Sequence, residues 1–157
     1  MNFNQLSGEM MSWKEFEQRS PELAAVGLDR LNRKIAYLAT VKKNGSPRLH
    51  PVKPFIDNGL LFIFTEPSSP KIRDLRRDGH YALHCTVLGE ERPRIEVLVS
   101  GTAEVIADPI VRARAVSYAA SPEITDGYVL FEFHIDSVLV VEHDEDLNPI
   151  PRRWRSK

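Results

Sequence analysis

The chain has a single cysteine, Cys85, in 157 residues. One thiol excludes an intramolecular disulfide framework and any metal site built on several cysteines. Cys85 sits in a strand-like run from Tyr81 to Leu88, which predicts a buried, inert thiol. There is no Gly-rich dinucleotide fingerprint and no P-loop. Neither sign of charge dominates: 21 Lys and Arg face 22 Asp and Glu, for a net charge of −1. That balance gives no reason to expect nucleic acid or an anionic membrane as a partner. No apolar run approaches the roughly 20 residues that span a bilayer. The opening Met1-Asn2-Phe3-Asn4-Gln5 has neither a basic stretch nor a long apolar one, so no signal peptide is expected and a cytoplasmic location is the default. His50, His80, His84, His134 and His143 lack metal-ligand spacing on one helix, and no metal site is expected. No nucleophile motif surrounds Ser100 or Cys85. A chain without its own acid, base or nucleophile would take its chemistry from a cofactor.

What is present fits one domain. Apolar residues make up 42% and charged residues 27%, an ordinary globular balance, and the length suffices for a real core. No internal repeat or low-complexity linker appears. The expected organisation is a helical segment over 1–34, a β domain over 35–145 and a tail over 146–157, whose basic end from Arg152 to Lys157 reads as solvated.

Ser12 with Glu15 three residues on predicts a capping box and a helix through Trp13 to Glu17. Pro21 interrupts or starts the next helix, with Leu23, Val26, Leu28 and Leu31 as its apolar stripe. The pattern then turns to β. Ile35–Val41 reads as a strand, and Asn44-Gly45 as a type I′ hairpin turn. Arg48–Ile56 follows, then a turn at Asp57-Asn58-Gly59, then Leu60–Thr65, apolar on both faces. These three strands are expected to form a meander. Pro47, Pro51 and Pro54 prevent full pairing of the second strand. That suits either edge protection or a ligand that uses the free backbone.

Ser69 as N-cap and Pro70 at the first helical position predict a helix from Ile72 to about Arg77, ended by Gly79. His80–Leu88 and Arg94–Ala107 are further strands, with a bulge at Gly101. On the second, Arg94, Glu96, Ser100, Thr102 and Glu104 are expected on one face and Ile95, Val97, Val99, Ala103 and Val105 on the other. Asp108-Pro109 starts a short helix through Tyr118, and Tyr128–Ile135 and Ser137–Glu142 are the last strands. Without regular βαβ alternation, short strands joined by tight turns suggest an antiparallel barrel.

The start of the third helix is the most informative local feature. Unpaired N–H groups, the hydroxyls of Ser68 and Ser69 and the charge of Lys71 together suit an anion such as a phosphate; a plain surface helix with one solvated lysine is the competing reading. Arg48, on the proline-rich strand, is a second candidate, because a guanidinium binds phosphate bidentately.

The ordered run of motifs resembles the pyridoxamine 5′-phosphate oxidase-related flavin-binding proteins. Its pieces are Ile35 to Val41, then Asn44-Gly45-Ser46-Pro47-Arg48-Leu49-His50-Pro51-Val52, then Leu61 to Thr65. Ser69-Pro70-Lys71-Ile72-Arg73-Asp74-Leu75 follows, then Tyr81-Ala82-Leu83 and Val99 to Val105. Together they span about residues 30 to 142. The resemblance implies a mostly β fold with flanking helices, an antiparallel Greek-key split β-barrel, and a homodimer with FMN between subunits. By position, Arg48, Leu49, His50, Pro51 and Val52 would line the flavin, with Phe64 and Thr65 near its ring or ribityl chain. Ser68, Ser69 and Lys71 would hold its phosphate. Glu96, Val97 and Ser100 would approach from the partner subunit. Trp154 and Arg155 resemble an aromatic-basic pair that some members bring over the flavin; a packed or dangling tail is the alternative. Asp74 stands where many members have asparagine. The C-terminal arginine-histidine signature with which the vitamin B6 oxidases hold their substrate is not found, so oxidation of pyridoxamine phosphate is not expected. The implied function is an FMN-dependent oxidoreductase, with a small-molecule substrate or electron donor. The alternatives are a flavin sensor without turnover, or a member that binds the deazaflavin F420 or haem.

Overall fold

The computed structural model describes residues 10–90 and 92–157. Two helices open it, α1 (Trp13–Arg19) and α2 (Pro21–Leu31). Ser12 Oγ accepts the Glu15 N–H at 3.2 Å, and the Glu15 carboxylate accepts the Ser12 N–H at 2.8 Å, which completes the expected capping box. Pro21 is the first residue of α2, where its missing N–H costs nothing. Leu23 and Leu31 are buried as expected, but Leu28 is 42% exposed. Ala24 and Gly27 complete the buried face instead. A β-carbon on Gly27 would come within 2.9 Å of the Trp13 ring, so the glycine lets that ring lie against α2.

The remaining elements are β1 (Ala36–Val41), β2 (Pro47–Val52), β3 (Phe55–Asp57), β4 (Leu60–Thr65), α3 (Lys71–Arg77), β5 (His80–Cys85), β6 (Ile95–Val105), α4 (Pro109–Ala119), β7 (Val129–His143) and β8 (Pro149–Arg155). Every strand pairing is antiparallel. The sheet runs β2-β1-β5-β6-β7-β4-β3, with β8 also on β7. It curls into a split barrel. Its inner face holds the main core, including Phe16, Leu38, Leu61, Leu83, Val97, Val99, Phe131, Phe133 and Val140. A smaller cluster of Phe55, Phe62, Leu130, Ala115 and Ala119 joins α4 to the β3–β4 hairpin. Asp108 caps α4 by accepting from the Ile110 and Val111 N–H groups.

The expected meander does not form. Pro54 cannot donate to a ladder, so the chain breaks at Lys53-Pro54 and the second expected strand becomes β2 and β3. The β1–β2 hairpin ends one side of the sheet and the β3–β4 hairpin ends the other. The turn types also differ from expectation. Asn44 keeps an ordinary φ and Gly45 alone is left-handed, at +85°. With Gly45 N–H bonded to Lys42 C=O, this is a longer turn closed by a glycine bulge. The type I′ geometry lies instead at Asn58-Gly59, where φ is +52° and +75° between the paired Asp57 and Leu60.

The bulge at Gly101 is present: the β6–β7 register shifts between Ser100 and Gly101. Around it, the two last expected strands are one continuous strand of 15 residues, β7. Val105, the last residue of β6, is 42% exposed although it is paired with Phe131. The expected tail is β8, paired with β7 from Ser137↔Arg155 to His143↔Pro149. Cys85 is buried as expected, its sulfur 3.2 Å from the Val97 N–H.

Candidate functional site

The polar groups that the sequence singles out converge where β2, the end of β1 and α3 meet. Asp74 is the hub. It is 2% exposed, a depth at which a carboxylate needs partners. Its Oδ2 accepts from Thr40 Oγ1 at 2.8 Å and Arg48 Nε at 2.7 Å, and its Oδ1 from Arg77 at 3.2 Å. Arg77 also donates to the Val41 carbonyl at 2.6 Å. Burial alone would raise the Asp74 pKa. The hydrogen bonds from Arg48, Thr40 and Arg77 outweigh it and hold the carboxyl below its ordinary range. The aspartate in the asparagine position thus pins α3 to β1 and β2 and orients Arg48.

Beside this hub stand His50 and Lys71. The two lie close enough that Lys71, with Arg48, disfavours the charged imidazole. Burial is the larger cause, and together they push the His50 pKa down. His50 Nε2 is buried and has no partner among the described residues. Lys71 Nζ donates to Ser69 Oγ at 2.8 Å, and burial lowers its pKa while Glu66 opposes that shift. Thr65, at the end of β4, is 1% exposed, and its hydroxyl also lacks a partner. An orphaned polar atom, His50 Nε2, beside two cations suits a polar, anionic group.

The source of that charge differs from the sequence expectation. α3 has only 7 residues, its N-cap is Pro70, and Ser69 makes no capping bond. The Ser69 hydroxyl faces Lys71 instead. The Ser68 hydroxyl donates to the Glu66 carboxylate. The side chains of Lys71 and Arg48, rather than a capped helix terminus, supply the positive potential.

The expected contacts on β2 divide between two faces. Arg48 and His50 pair with Thr40 and Leu38 on the inner side, with buried Val52 beyond them. Leu49, 67% exposed, and Pro51 point outward. Phe64 and Thr65 divide likewise, since Phe64 packs with the α4 cluster and under Arg112. The outward side of the sheet joins Leu49 and Pro51 to Tyr37, His84, Glu96, Ser100 and Arg155 through successive pairings. Ser100 Oγ bonds Ser137 Oγ at 2.7 Å on this face, and Glu96 lies 3.5 Å from His143. Val97 is fully buried in the core. Trp154 points inward too, its ring 4.9 Å from Phe16, while its neighbour Arg155 is outward and exposed. Asp74, Thr40 and Arg77 were not expected at the site. The one signal for them is Asp74 itself, a carboxylate on the apolar side of a short helix.

Among the described residues, no group of three or more His, Cys, Asp or Glu could hold a metal ion, and no helix is long and apolar enough to cross a membrane.

Solved structures share this fold. A haem-binding protein from Mycobacterium smegmatis superposes with a TM-score of 0.66 at 16% identity, over 84% of this chain and 56% of that one. A NimC/NimA family protein from Clostridium acetobutylicum gives 0.63 at 14% identity, over 90% and 94%. An FAD-binding protein from Mesorhizobium loti gives 0.58 at 22% identity, over 78% and 95%. This chain spans little more than half the length of the first. No curated protein sequence matches it. The pyridoxamine 5′-phosphate oxidase family model, however, matches residues 28–142, most of the chain and all strands but β8, so the chain belongs to that family.

Proposed function

We propose that the protein is a flavin-binding oxidoreductase that holds FMN at the interface of a homodimer. The observation that carries the reading is the β2–α3 edge. There, Lys71 and Arg48 flank the orphaned His50 Nε2, at a strand whose outer backbone is unpaired among the described residues. Lys71 and Arg48 would neutralise the phosphate, with Ser69 held ready by Lys71. Thr65 and His50 would take polar contacts nearer the ring. Ser68 reaches the phosphate only by leaving Glu66. FMN, when bound, supplies hydride or electron transfer. The family match and the likeness to an FAD-binding protein support a flavin.

The outward sheet face supports the dimer. Tyr37, Leu49 and Pro51 form an apolar patch there, continued by the half-buried Leu98, Leu139 and Val141. Such a face suits a second copy of the chain. Glu96, Ser100 and Arg155 share it, so the partner could bring them to the flavin. Trp154 would reach it only by leaving Phe16.

A second reading is haem. His50 is held neutral with Nε2 free, the form in which imidazole ligates iron. The visible spectrum of the purified protein, with mass spectrometry of what denaturation releases, separates the two. Flavin bands and released FMN support the first reading; a Soret band that shifts in His50→Ala supports the second. A colourless protein that takes up neither would overturn both. A flavin that no reductant reduces would leave binding without turnover. Sedimentation should show a dimer that Tyr37→Asp with Leu49→Asp dissociates; an unchanged dimer would place the interface elsewhere.

A further inference from the structure

At the C-terminal end of α3 lies a second concavity, an open cleft of about 1170 Å³ between the β1–β2 turn, the start of β5 and the end of β6. None of the residues assigned above to the flavin lines it. Four cations do: Lys42 and Lys43 from the turn, Arg76 and Arg77 from the helix. Two carboxylates oppose them, Asp78 and Glu104. Asp78 is already engaged, accepting the His80 N–H at 3.0 Å and lying 2.6 Å from His80 Nδ1. Arg77 is held by Asp74 and the Val41 carbonyl. The side chains of Lys42, Lys43 and Arg76 make no hydrogen bond or ion pair among the described residues. The helix dipole favours Arg76 and Arg77 where they stand. It does not account for two lysines facing them across a gap, on a chain whose net charge is −1. The walls are apolar as well. Val105, 42% exposed, and Met10, 50% exposed, both line the cleft.

Unpaired cations beside exposed apolar walls in one concavity suit an amphipathic anion. We propose that this cleft binds a phosphate ester with an apolar or aromatic body, in the manner of a nucleotide. Lys42, Lys43 and Arg76 take the phosphates, and Val105 and Met10 contact the body. The site is separate from the cofactor edge and does not depend on the flavin reading.

Calorimetric titration of the full chain with ADP and with inorganic pyrophosphate tests it. ADP should bind, and more tightly than pyrophosphate. Lys43→Glu with Arg76→Glu, both exposed and distant from the core, should weaken both ligands about tenfold or more. Val105→Asp should weaken ADP more than pyrophosphate. Lys71→Ala should leave both unchanged. No ADP binding at millimolar concentration would overturn the proposal. So would binding that survives the double reversal but disappears in Lys71→Ala, since the anion would then sit at the cofactor edge. Visible absorption, followed in parallel, reads the flavin independently: a protein that binds ADP but no flavin would sink only the flavin reading.

Discussion

At the bulge between β6 and β7, backbone lies against backbone. Gly101 faces the His134 carbonyl so closely that a β-carbon would stand 2.0 Å from its oxygen. The Tyr81 hydroxyl, on β5, donates to that carbonyl at 2.9 Å. At the β2–α3 edge the arrangement is the reverse. A buried carboxylate gathers three donors, yet His50 Nε2 is left without a partner among the described residues. The backbone of the first region is closed and has no room for a further group, although His134 Nδ1 is itself buried without a partner among the described residues. The second keeps polar capacity in reserve, which is a cost to the fold that a ligand can recover.

The contrast makes graded predictions. Gly101→Ala should have the largest effect, about 4 kcal/mol or more lost in denaturant unfolding, because no flexible side chain can give way. A near-normal midpoint would mean that the strands separate more easily than the contact implies. Asp74→Ala should cost about 2–3 kcal/mol, below the full value for a broken buried pair, since Arg48 and Arg77 reach solvent. Its charge sets a sign with pH. A carboxyl held below its ordinary pKa contributes stability above the unfolded value and loses it as pH falls through the folded one. Asp74→Asn should therefore flatten the acid limb of the stability curve; an unaltered limb would refute the hub. Lys71→Ala should weaken FMN binding by about 1–3 kcal/mol while the melting temperature stays put. Equal affinity would move the phosphate elsewhere. His50 gives the smallest effect. Its pKa is lowered in the fold, so below pH 6.5 the unfolded chain takes up a proton that the native state resists. Stability should decline there, and His50→Gln should abolish that decline.

The caps at Ser12 and Asp108, the bulge at Gly101 and the order of most strands were legible from local signals. Each depends on residues a few positions apart. Choices between similar signals were less legible. Two Asn-Gly pairs offer the same turn, and only the strand lengths on either side make Asn58-Gly59 the tight one. β8 was hidden because Pro149 and Pro151 and its arginines suggest a tail. The alternation of Ile150, Arg152 and Trp154 was the signal available. At the site, Lys71, Arg48 and His50 were readable as candidates. Asp74's grip on Thr40 and Arg48 spans 34 and 26 residues of sequence, and no local pattern encodes a contact that distant.

β7 pairs with β6 along nearly its whole length, with β4 over its first residues and with β8 over its last. Three partners on one strand make it the mechanical spine of the molecule. Force applied at the C-terminus would peel β8 away one pair at a time, like a zipper. The β6–β7 ladder would resist as a whole, and its central amides would be the last to exchange with heavy water.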